Sequence, residues 1–503
     1  MPETPVLIIG AGIGGLAAAL ELAACGTPVE VLERQSAPGG KMRQAPVAGR
    51  AIDAGPTVLT MRWVFDELCE LAGTSLEAET ALEPASVLAR HAWLAGGELD
   101  LHAEHARNVA AISAFAGTAE AQRYEAFCQR AKRTYLALRD TFIRASRPNP
   151  ISLLARAGLK GLPDMLRISP FGSLWGTLGE HFHDQRLQQL FGRYATYCGS
   201  SPFAAPATLM LVAHVELEGV WRLREGMHGL ALALARLAEA RGVRIRYGCE
   251  VQRIDQQGGR VSGVRLTDGE CIDASAVVFN GDAAALAQGL LGDAGVQARA
   301  ARARRTARSL SALTWNVVAR TEGFALSHHN VFFSDDYAAE FEDIFTRGRL
   351  PRRPTVYICA QDRGADQSAT PTGPERLLCL VNAPALGDRV PDPLDAAEIE
   401  QCETETFRVM ERCGLTLTFE PAHFQRTTPR DWHQLFPGTG GALYGQASHG
   451  WRASFSRPGA RTRLPGLYLA GGSVHPGPGV PMAALSGRLA ARTLIADLTS
   501  RGK

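Results

Sequence analysis

The sequence lacks the cysteine pattern of a metal-binding or disulfide-rich protein. Its 503 residues include ten cysteines, and no two of them are closer than eleven residues. The C-x-x-C pairs of zinc ribbons, iron–sulfur proteins and thioredoxin-type sites are therefore absent. Scattered cysteines of this kind are typical of reduced, buried thiols in a cytosolic protein, and we expect no metal site.

An excess of charge of one sign is also missing. Lys and Arg total 53 against 51 for Asp and Glu, which gives a formal net charge of +2. A nucleic-acid-binding protein usually carries a strong positive field, so we expect no nucleic-acid partner. The basic run at 299–308 is interpreted as a solvated helix face.

Long apolar runs are absent as well. No stretch of 18 uncharged apolar residues occurs, so no transmembrane helix is predicted. Residues 6–20 are apolar, but glycines interrupt them and no Lys or Arg precedes them, unlike in a signal peptide. The length predicts two or more domains, and we expect a cytoplasmic protein.

The first fifty residues carry a nucleotide-binding pattern. An apolar run at 6–9 leads into GAGIGG at 10–15, which fits G-x-G-x-x-G. A helix-forming stretch at 16–25 and a second strand that ends at Glu33 complete a βαβ unit. The glycines let a diphosphate approach the helix N-terminus, and the acid is placed to accept hydrogen bonds from ribose hydroxyls. The pattern predicts a dinucleotide site, and the acid disfavours a 2′-phosphate, which leaves NAD or FAD.

Two later segments extend this pattern. Residues 464–472 predict a short buried strand with a glycine pair, followed by an alanine-rich helix at 483–494. A strand, glycine-dense turn and helix again offer N–H groups to an anion. In mid-chain, a helix predicted at 226–241 precedes strands at 243–266 and 277–281.

Together these segments resemble the FAD-dependent amine oxidase and carotenoid desaturase superfamily. In that superfamily a glycine pair and a basic residue, here at 39–41, follow the ribose acid, and a segment such as 53–57 passes the flavin. Residues 471–482 resemble the C-terminal FAD motif of bacterial carotenoid desaturases. The resemblance covers nearly the whole chain, and 39–43 and 53–60 look like the branch that acts on 1-hydroxycarotenoids.

The resemblance implies an α/β fold with a discontinuous Rossmann-type FAD-binding domain and an interleaved α+β substrate domain. The FAD-binding domain would comprise residues 1–80, 215–285 and 455–503. The substrate domain would comprise residues 81–214 and 286–454. The resemblance implies FAD contacts from Gly10, Ala11, Gly12, Gly15, Glu33, Arg34, Gly40, Lys41, Gly55, Pro56, Thr57, Val251, Gly471, Gly472, Val480, Pro481 and Met482. No catalytic dyad is evident. His475 and Arg62 are expected nearest the flavin, although a turn histidine and a surface arginine are equally open interpretations.

The implied activity is insertion of a C=C bond into an acyclic carotenoid by hydride transfer to flavin N5. Removal of two vicinal hydrogens needs a two-electron acceptor, which flavin is and no side chain is. The resemblance favours 3,4-desaturation of a 1-hydroxycarotenoid, with quinone or oxygen reoxidising the flavin. A phytoene or neurosporene desaturase and a flavin-free lipid escort protein on the same fold remain alternatives. The identity of the carotenoid and the number of desaturation steps stay open.

Residues 142–175 predict a helical, membrane-facing part. They contain five cations and one acid, together with apolar residues at helical spacing and two aromatic residues near the end. Short basic amphipathic helices with aromatic residues suit the surface of an anionic membrane. A helical lid packed on the protein itself is the alternative. We expect peripheral association with the cytoplasmic membrane.

This expectation can be tested by sedimentation. The purified protein should pellet with liposomes that contain anionic lipid, and deletion of residues 145–175 should abolish pelleting, because the basic and apolar residues are lost together. Liposomes of neutral lipid provide the reference. Undiminished pelleting of the deleted protein contradicts the assignment.

Overall fold

The computed structural model describes residues 4–146, 172–300, 307–364 and 371–501. The strands in these ranges are β1 (Val6–Ile9), β2 (Val29–Leu32), β3 (Gln44–Val47), β4 (Arg50–Asp53), β5 (Leu82–Pro84), β6 (Val87–Trp93), β7 (Glu98–His102), β8 (Trp221–Leu223), β9 (Arg244–Arg246), β10 (Val251–Gln257), β11 (Arg260–Leu266), β12 (Cys271–Asp273), β13 (Ala276–Phe279), β14 (Ser311–Gly323), β15 (His329–Phe333), β16 (Val356–Ala360), β17 (Glu375–Ala383), β18 (Leu415–Thr418), β19 (Phe424–Thr427) and β20 (Leu467–Leu469). The α-helices are α1 (Ile13–Ala24), α2 (Trp63–Leu71), α3 (Leu76–Glu79), α4 (His105–Ala116), α5 (Thr118–Leu138), α6 (Leu174–His181), α7 (Gln185–Gly192), α8 (Leu211–Leu217), α9 (Gly226–Ala240), α10 (Ala283–Ala287), α11 (Ala294–Ala300), α12 (Tyr337–Glu342), α13 (Ala396–Arg412), α14 (Pro429–Leu435), α15 (Ala453–Ser456) and α16 (Val480–Arg501).

A five-stranded parallel sheet has the order β20-β13-β1-β2-β9. β1 lies between β13 and β2, and its first three residues are buried because apolar neighbours cover both faces. The predicted strand–helix–strand unit is confirmed, with α1 starting three residues before the predicted helix. The strands of this sheet come from three separated stretches of the chain, 6–32, 244–279 and 467–469.

The first and last long helices meet at small residues. α1 packs along α16, and Gly487 of α16 lies directly against the backbone of Gly14, where any side chain would overlap the Gly14 carbonyl. Glycines at this crossing let the two backbones touch. The two glycine-rich motifs, at opposite ends of the sequence, are thereby brought together.

A second sheet, of eight strands, has the order β18-β14-β17-β16-β15-β6-β7, with β19 also paired to β14. Its pairs are antiparallel except for β15 with β6. One core, which contains Phe127, Phe182 and Phe191, joins this sheet to helices α4–α8. Another, which contains Trp315 and Met410, lies between the sheet and α13. A three-stranded sheet, β10-β11-β12, completes the mid-chain segment.

Part of the predicted membrane-facing segment, residues 147–171, lies outside the described residues. Trp175, at its end, is partly buried, with its ring centre 4.5 Å from that of Phe203. In the described residues, no helix combines the length and apolarity that a membrane crossing requires. The basic run at 299–308 also falls partly outside the described residues, and its last member, Arg308, forms a 2.5 Å ion pair with Asp388.

A buried ion pair fastens α16 to α1. The Arg488 guanidinium lies 2.8 Å from the Glu21 carboxylate, with side-chain exposures of 6% and 9%, and also contacts Glu67 of α2. Removal of Arg488 breaks both of its ion pairs and leaves the buried Glu21 carboxylate with only Arg492, whose side chain is 55% exposed. We expect Arg488→Leu to lower the free energy of unfolding by about 3 kcal/mol, measured by urea unfolding.

Arg461→Leu is the matched control, because its ion pair with Asp497 lies at the surface, where the Arg461 side chain is 54% exposed. Loss of that pair should lower the free energy of unfolding by less than about 1 kcal/mol. Equal losses for the two variants would contradict a structural role for the buried pair.

Candidate functional site

A cavity of about 1060 Å³ lies between the parallel sheet and the eight-stranded sheet. The carboxyl ends of β1, β2 and β13 open onto it, which is where ligands bind in doubly wound sheets. Of the residues predicted to contact a dinucleotide, those that line the cavity are Gly10, Gly12, Glu33, Arg34, Gly40, Lys41, Gly55, Pro56, Thr57, Val251, Gly471, Gly472, Val480 and Pro481. The structure therefore brings both ends of the sequence to one site.

The remaining predicted residues, Ala11, Gly15 and Met482, lie behind the cavity wall. The Ala11 backbone N–H donates a 2.7 Å hydrogen bond to Glu33 Oε2, while Glu33 Oε1 accepts one of 2.8 Å from the Gln35 backbone. A Cβ on Gly15 would overlap the Gly10 carbonyl. Met482 packs against the core around α1. Ala11 and Gly15 therefore shape the cavity wall without lining it.

Asn280, directly after β13, stands at the centre of the glycine turns. Its Nδ2 donates to the Gly10 carbonyl at 3.2 Å. A Cβ added to Gly12 or Gly14 would lie 2.9 or 2.6 Å from its side chain, and one added to Gly471 would lie 3.0 Å away. Only glycine backbones fit around this amide. Sequence reasoning missed Asn280, although its position at the carboxyl end of a buried parallel strand was a usable signal.

The N-terminus of α1 fits an anionic group. Its N-cap is Gly12, and no side chain caps the free N–H groups of the first turn. These groups and the helix dipole favour a phosphate at this position. The cradle that the glycines form thus has the shape and polarity that the diphosphate of FAD requires.

Two predicted cations connect the cavity wall to residues 429–443. These residues lie over the dinucleotide side of the cavity and are called the covering segment. Lys41 Nζ donates to the Leu443 carbonyl at 2.5 Å and lies 5.4 Å from the Phe436 ring centre. Burial lowers the pKa of Lys41, with Arg457 acting in the same direction and Asp282 opposing it. A side chain at Gly55 would overlap the Lys41 carbonyl, so this turn also requires glycine.

Arg34 makes the second connection. It forms a 3.5 Å ion pair with Glu250 and donates to the backbone carbonyls of Gln434 and Leu435 in the covering segment. The chain from α14 to Leu443 is thus fastened over the dinucleotide side of the cavity.

The opposite side of the cavity is mainly apolar. Its lining includes Val212, Val215, Val331, Leu378 and Leu380, which come from α8 and two strands of the eight-stranded sheet, β15 and β17. Apolar walls of this kind suit a hydrocarbon chain and exclude water.

A polar cluster interrupts the apolar wall. Tyr197 donates to Glu216 Oε1 at 2.7 Å and accepts from Arg193 at 2.8 Å. Nearby, the Tyr357 and Thr57 hydroxyls are hydrogen-bonded at 2.6 Å. Burial raises the pKa of Glu216, against the opposing effects of Arg193 and the two tyrosines that donate to it. Sequence reasoning missed this cluster, because its members come from distant segments without a shared motif.

The two polar residues expected nearest the flavin, His475 and Arg62, do not line the cavity. His475 is buried with Nε2 2.8 Å from the Ala145 carbonyl oxygen. Arg62 forms ion pairs with Asp66 and Glu77. The interpretations of a turn histidine and a structural arginine fit these contacts better than a catalytic role.

His328, His329 and Cys359 place three potential metal ligands within 4.8 Å of one another. Cys359 and His328 contact each other at 3.6 Å, and His329 Nδ1 lies 2.8 Å from the Tyr357 hydroxyl. Burial lowers the pKa of His328 to about 4 and raises that of the Cys359 thiol. Hydrogen bonds within the protein account for the position of these side chains.

The chain matches the family model for flavin containing amine oxidoreductase over residues 13–495. It is 56% identical over 500 residues to the hydroxyneurosporene desaturase of Rubrivivax gelatinosus, with 99% of this chain and 94% of that protein covered. It is 30% identical over 491 residues to the 1-hydroxycarotenoid 3,4-desaturase of a Flavobacterium species, covering 96% and 98%. Among solved structures, a putrescine oxidase shares the fold, with a TM-score of 0.61, 13% identity and coverage of 98% and 99%. The chain therefore belongs to the flavin-containing amine oxidoreductases and, within them, to the FAD-dependent carotenoid desaturases of bacteria, as its sequence predicted.

Proposed function

We propose that this enzyme introduces the 3,4 double bond of a 1-hydroxycarotenoid. The main support for the proposal is that one continuous cavity contains both the dinucleotide cradle and an apolar chamber. Such a chamber suits a polyene. The similarity to a hydroxyneurosporene desaturase and to a 1-hydroxycarotenoid 3,4-desaturase supports a substrate of this class.

The fourteen predicted residues that line the cavity, supported from behind by Ala11 and Gly15, would hold the cofactor. In this proposal Glu33 binds the adenosine ribose, the free N–H groups of α1 bind the diphosphate, and Val251 contacts adenine through its backbone. The division into an FAD-binding domain (1–80, 215–285, 455–503) and a substrate domain (81–214, 286–454) accords with the origins of the strands in the two sheets.

FAD, when bound, supplies the acceptor for the two electrons that leave the substrate. The protein's own contribution is alignment: the apolar chamber holds the polyene in one orientation, and segment 55–57 forms the part of the wall beside the reacting carbons. Exclusion of water by the valine and leucine side chains protects a polyene from which hydride is being removed. Quinone or oxygen as the final electron acceptor, and attachment to the cytoplasmic membrane surface, complete the proposal.

A phytoene or neurosporene desaturase remains the second candidate, and the polar cluster of the cavity wall favours an oxygenated substrate over either hydrocarbon. The escort protein is disfavoured, because the uncapped N-terminus of α1 and the glycines that line the cavity beside it offer an anion site that a flavin-free protein does not need.

The proposed reaction predicts a defined product. The FAD-loaded protein should convert a 1-hydroxycarotenoid that lacks the 3,4 double bond into a product two hydrogens lighter, with its absorption shifted to longer wavelength. Mass spectrometry and NMR locate the new bond, and protein stripped of FAD is the control. Desaturation of phytoene with no action on the hydroxylated substrate would favour the second candidate.

The role of Glu33 predicts weaker cofactor binding when its carboxylate is removed. Glu33→Ala should raise the dissociation constant for FAD about tenfold or more, because a charge-assisted hydrogen bond to the ribose is lost. Flavin absorbance per protein after gel filtration measures retention.

Glu30→Ala is the matched control, since Glu30 lies on the same strand, pairs with Arg246 at 3.4 Å and does not line the cavity. Unfolding temperatures of both variants show whether the fold survives. Retention of FAD by Glu33→Ala at the wild-type level refutes the ribose role.

A further inference from the structure

Arg193 carries a buried hydrogen-bond donor that the protein itself leaves unused. The residue is 8% exposed and lines the cavity. Within the described ranges, its Nε–H has no hydrogen-bond partner. A buried donor without an acceptor is destabilising, so one that is retained in a cavity wall calls for a ligand acceptor.

The guanidinium is held in a fixed place by its neighbours. Its NH2 group donates to the Tyr197 hydroxyl at 2.8 Å, and its carbon lies 5.0 Å from the centre of the Tyr197 ring. Tyr197 and Tyr194 in turn donate to the two oxygens of Glu216, at 2.7 and 2.6 Å. Burial lowers the pKa of Arg193, but the nearby Tyr197 and Glu216 outweigh it, so the group stays charged. A charged, immobilised donor is well suited to fixing one atom of a ligand.

The cluster faces the same cavity as the segment that we propose to lie beside the reacting carbons. Thr57 of that segment and Tyr357 both line the cavity, and Tyr357 is among the groups that stabilise the charge of Arg193. Valine and leucine side chains form much of the remaining wall on this side. A hydrocarbon end group would leave the Arg193 Nε–H without an acceptor, whereas an oxygen atom on the end group would accept its hydrogen bond.

We propose that Arg193 binds the oxygen substituent on C1 of the carotenoid through Nε–H and selects oxygenated end groups over hydrocarbon ones. This inference rests on the proposed function. Only one carbon separates C1 from C3, so a fixed oxygen also fixes the C3–C4 bond. Arginine donates hydrogen bonds and accepts none, so the substrate oxygen acts as the acceptor. A tertiary alcohol and its methyl ether both meet this requirement.

The wild-type enzyme provides the first test. Three substrates that differ only at C1, bearing a hydroxyl, a methoxyl or a hydrogen, are compared by kcat/KM. The hydroxyl and methoxyl compounds should react at similar kcat/KM, and the hydrogen compound about 10- to 100-fold less efficiently, as expected for a site built to hydrogen-bond its substrate. Equal values for all three overturn the inference.

Arg193→Lys provides the second test, because lysine keeps a cation beside Glu216 but loses the planar guanidinium donor. The ratio of kcat/KM for the hydroxyl compound to kcat/KM for the hydrogen compound should fall about 10- to 100-fold. Only the value for the hydroxyl compound should change, because only that compound uses the Arg193 donor. The matched control is Arg363→Lys. Arg363 is equally buried in an ion pair with Glu375 at 2.8 Å and does not line the cavity, so its variant should keep the wild-type preference.

The outcomes separate this inference from the proposed function. If wild-type protein forms no 3,4 double bond in any of the three substrates, the proposed function fails. If it forms that bond without preference, or if Arg193→Lys loses activity equally on all three, the function stands and the inference is refuted. Flavin absorbance and unfolding temperature identify a variant that has not folded, in which case the wild-type series decides.

Discussion

The structure depends on close contacts that glycine backbones make with one another and with one side-chain amide. Gly10, Gly12, Gly14 and Gly471 all surround the Asn280 amide, and α1 meets α16 where Gly14 touches Gly487. A methyl group at most of these positions would push apart segments that must meet to form one cavity. The cradle is therefore made of main chain, and its dimensions are set by the sheet.

Local patterns predicted this part of the fold well. Strand β1 matches its predicted bounds to the residue, and the glycine spacing predicted the turns because glycine has few other reasons to recur there. Fourteen of the predicted cofactor residues line one cavity although they come from distant parts of the chain. Here the resemblance supplied what spacing alone could not, namely that the two ends of the chain meet.

The substrate side was not predictable in the same way. Arg193 follows α7, Glu216 belongs to α8 and Tyr357 to β16, so no window of sequence contains the cluster. Its members meet because tertiary packing brings three elements together, and each resembles an ordinary polar residue on its own. His475 is the opposite case: its position within a motif suggested proximity to the flavin, and in the structure its ring contacts the Ala145 carbonyl oxygen.

The relation to a putrescine oxidase shows how one framework serves different chemistries. The two chains share the fold over nearly their whole length at 13% identity. The side chains of the chamber wall decide which substrate can enter. An apolar wall with a fixed cationic donor at Arg193 would suit a long polyene with one oxygenated end.

The position of β20 in the parallel sheet has a consequence for biosynthesis. β1 and α1 leave the ribosome long before β20 and α16, which complete the cradle and lie far along the chain. At a synthesis rate of about 5–20 residues per second, the first glycine turn waits roughly half a minute or longer for its partner. During that interval the apolar face of α1 has no α16 to cover it. Capture of the cofactor by the complete cradle consequently waits until α16 has been made, and the nascent chain must be kept from aggregating until that helix docks.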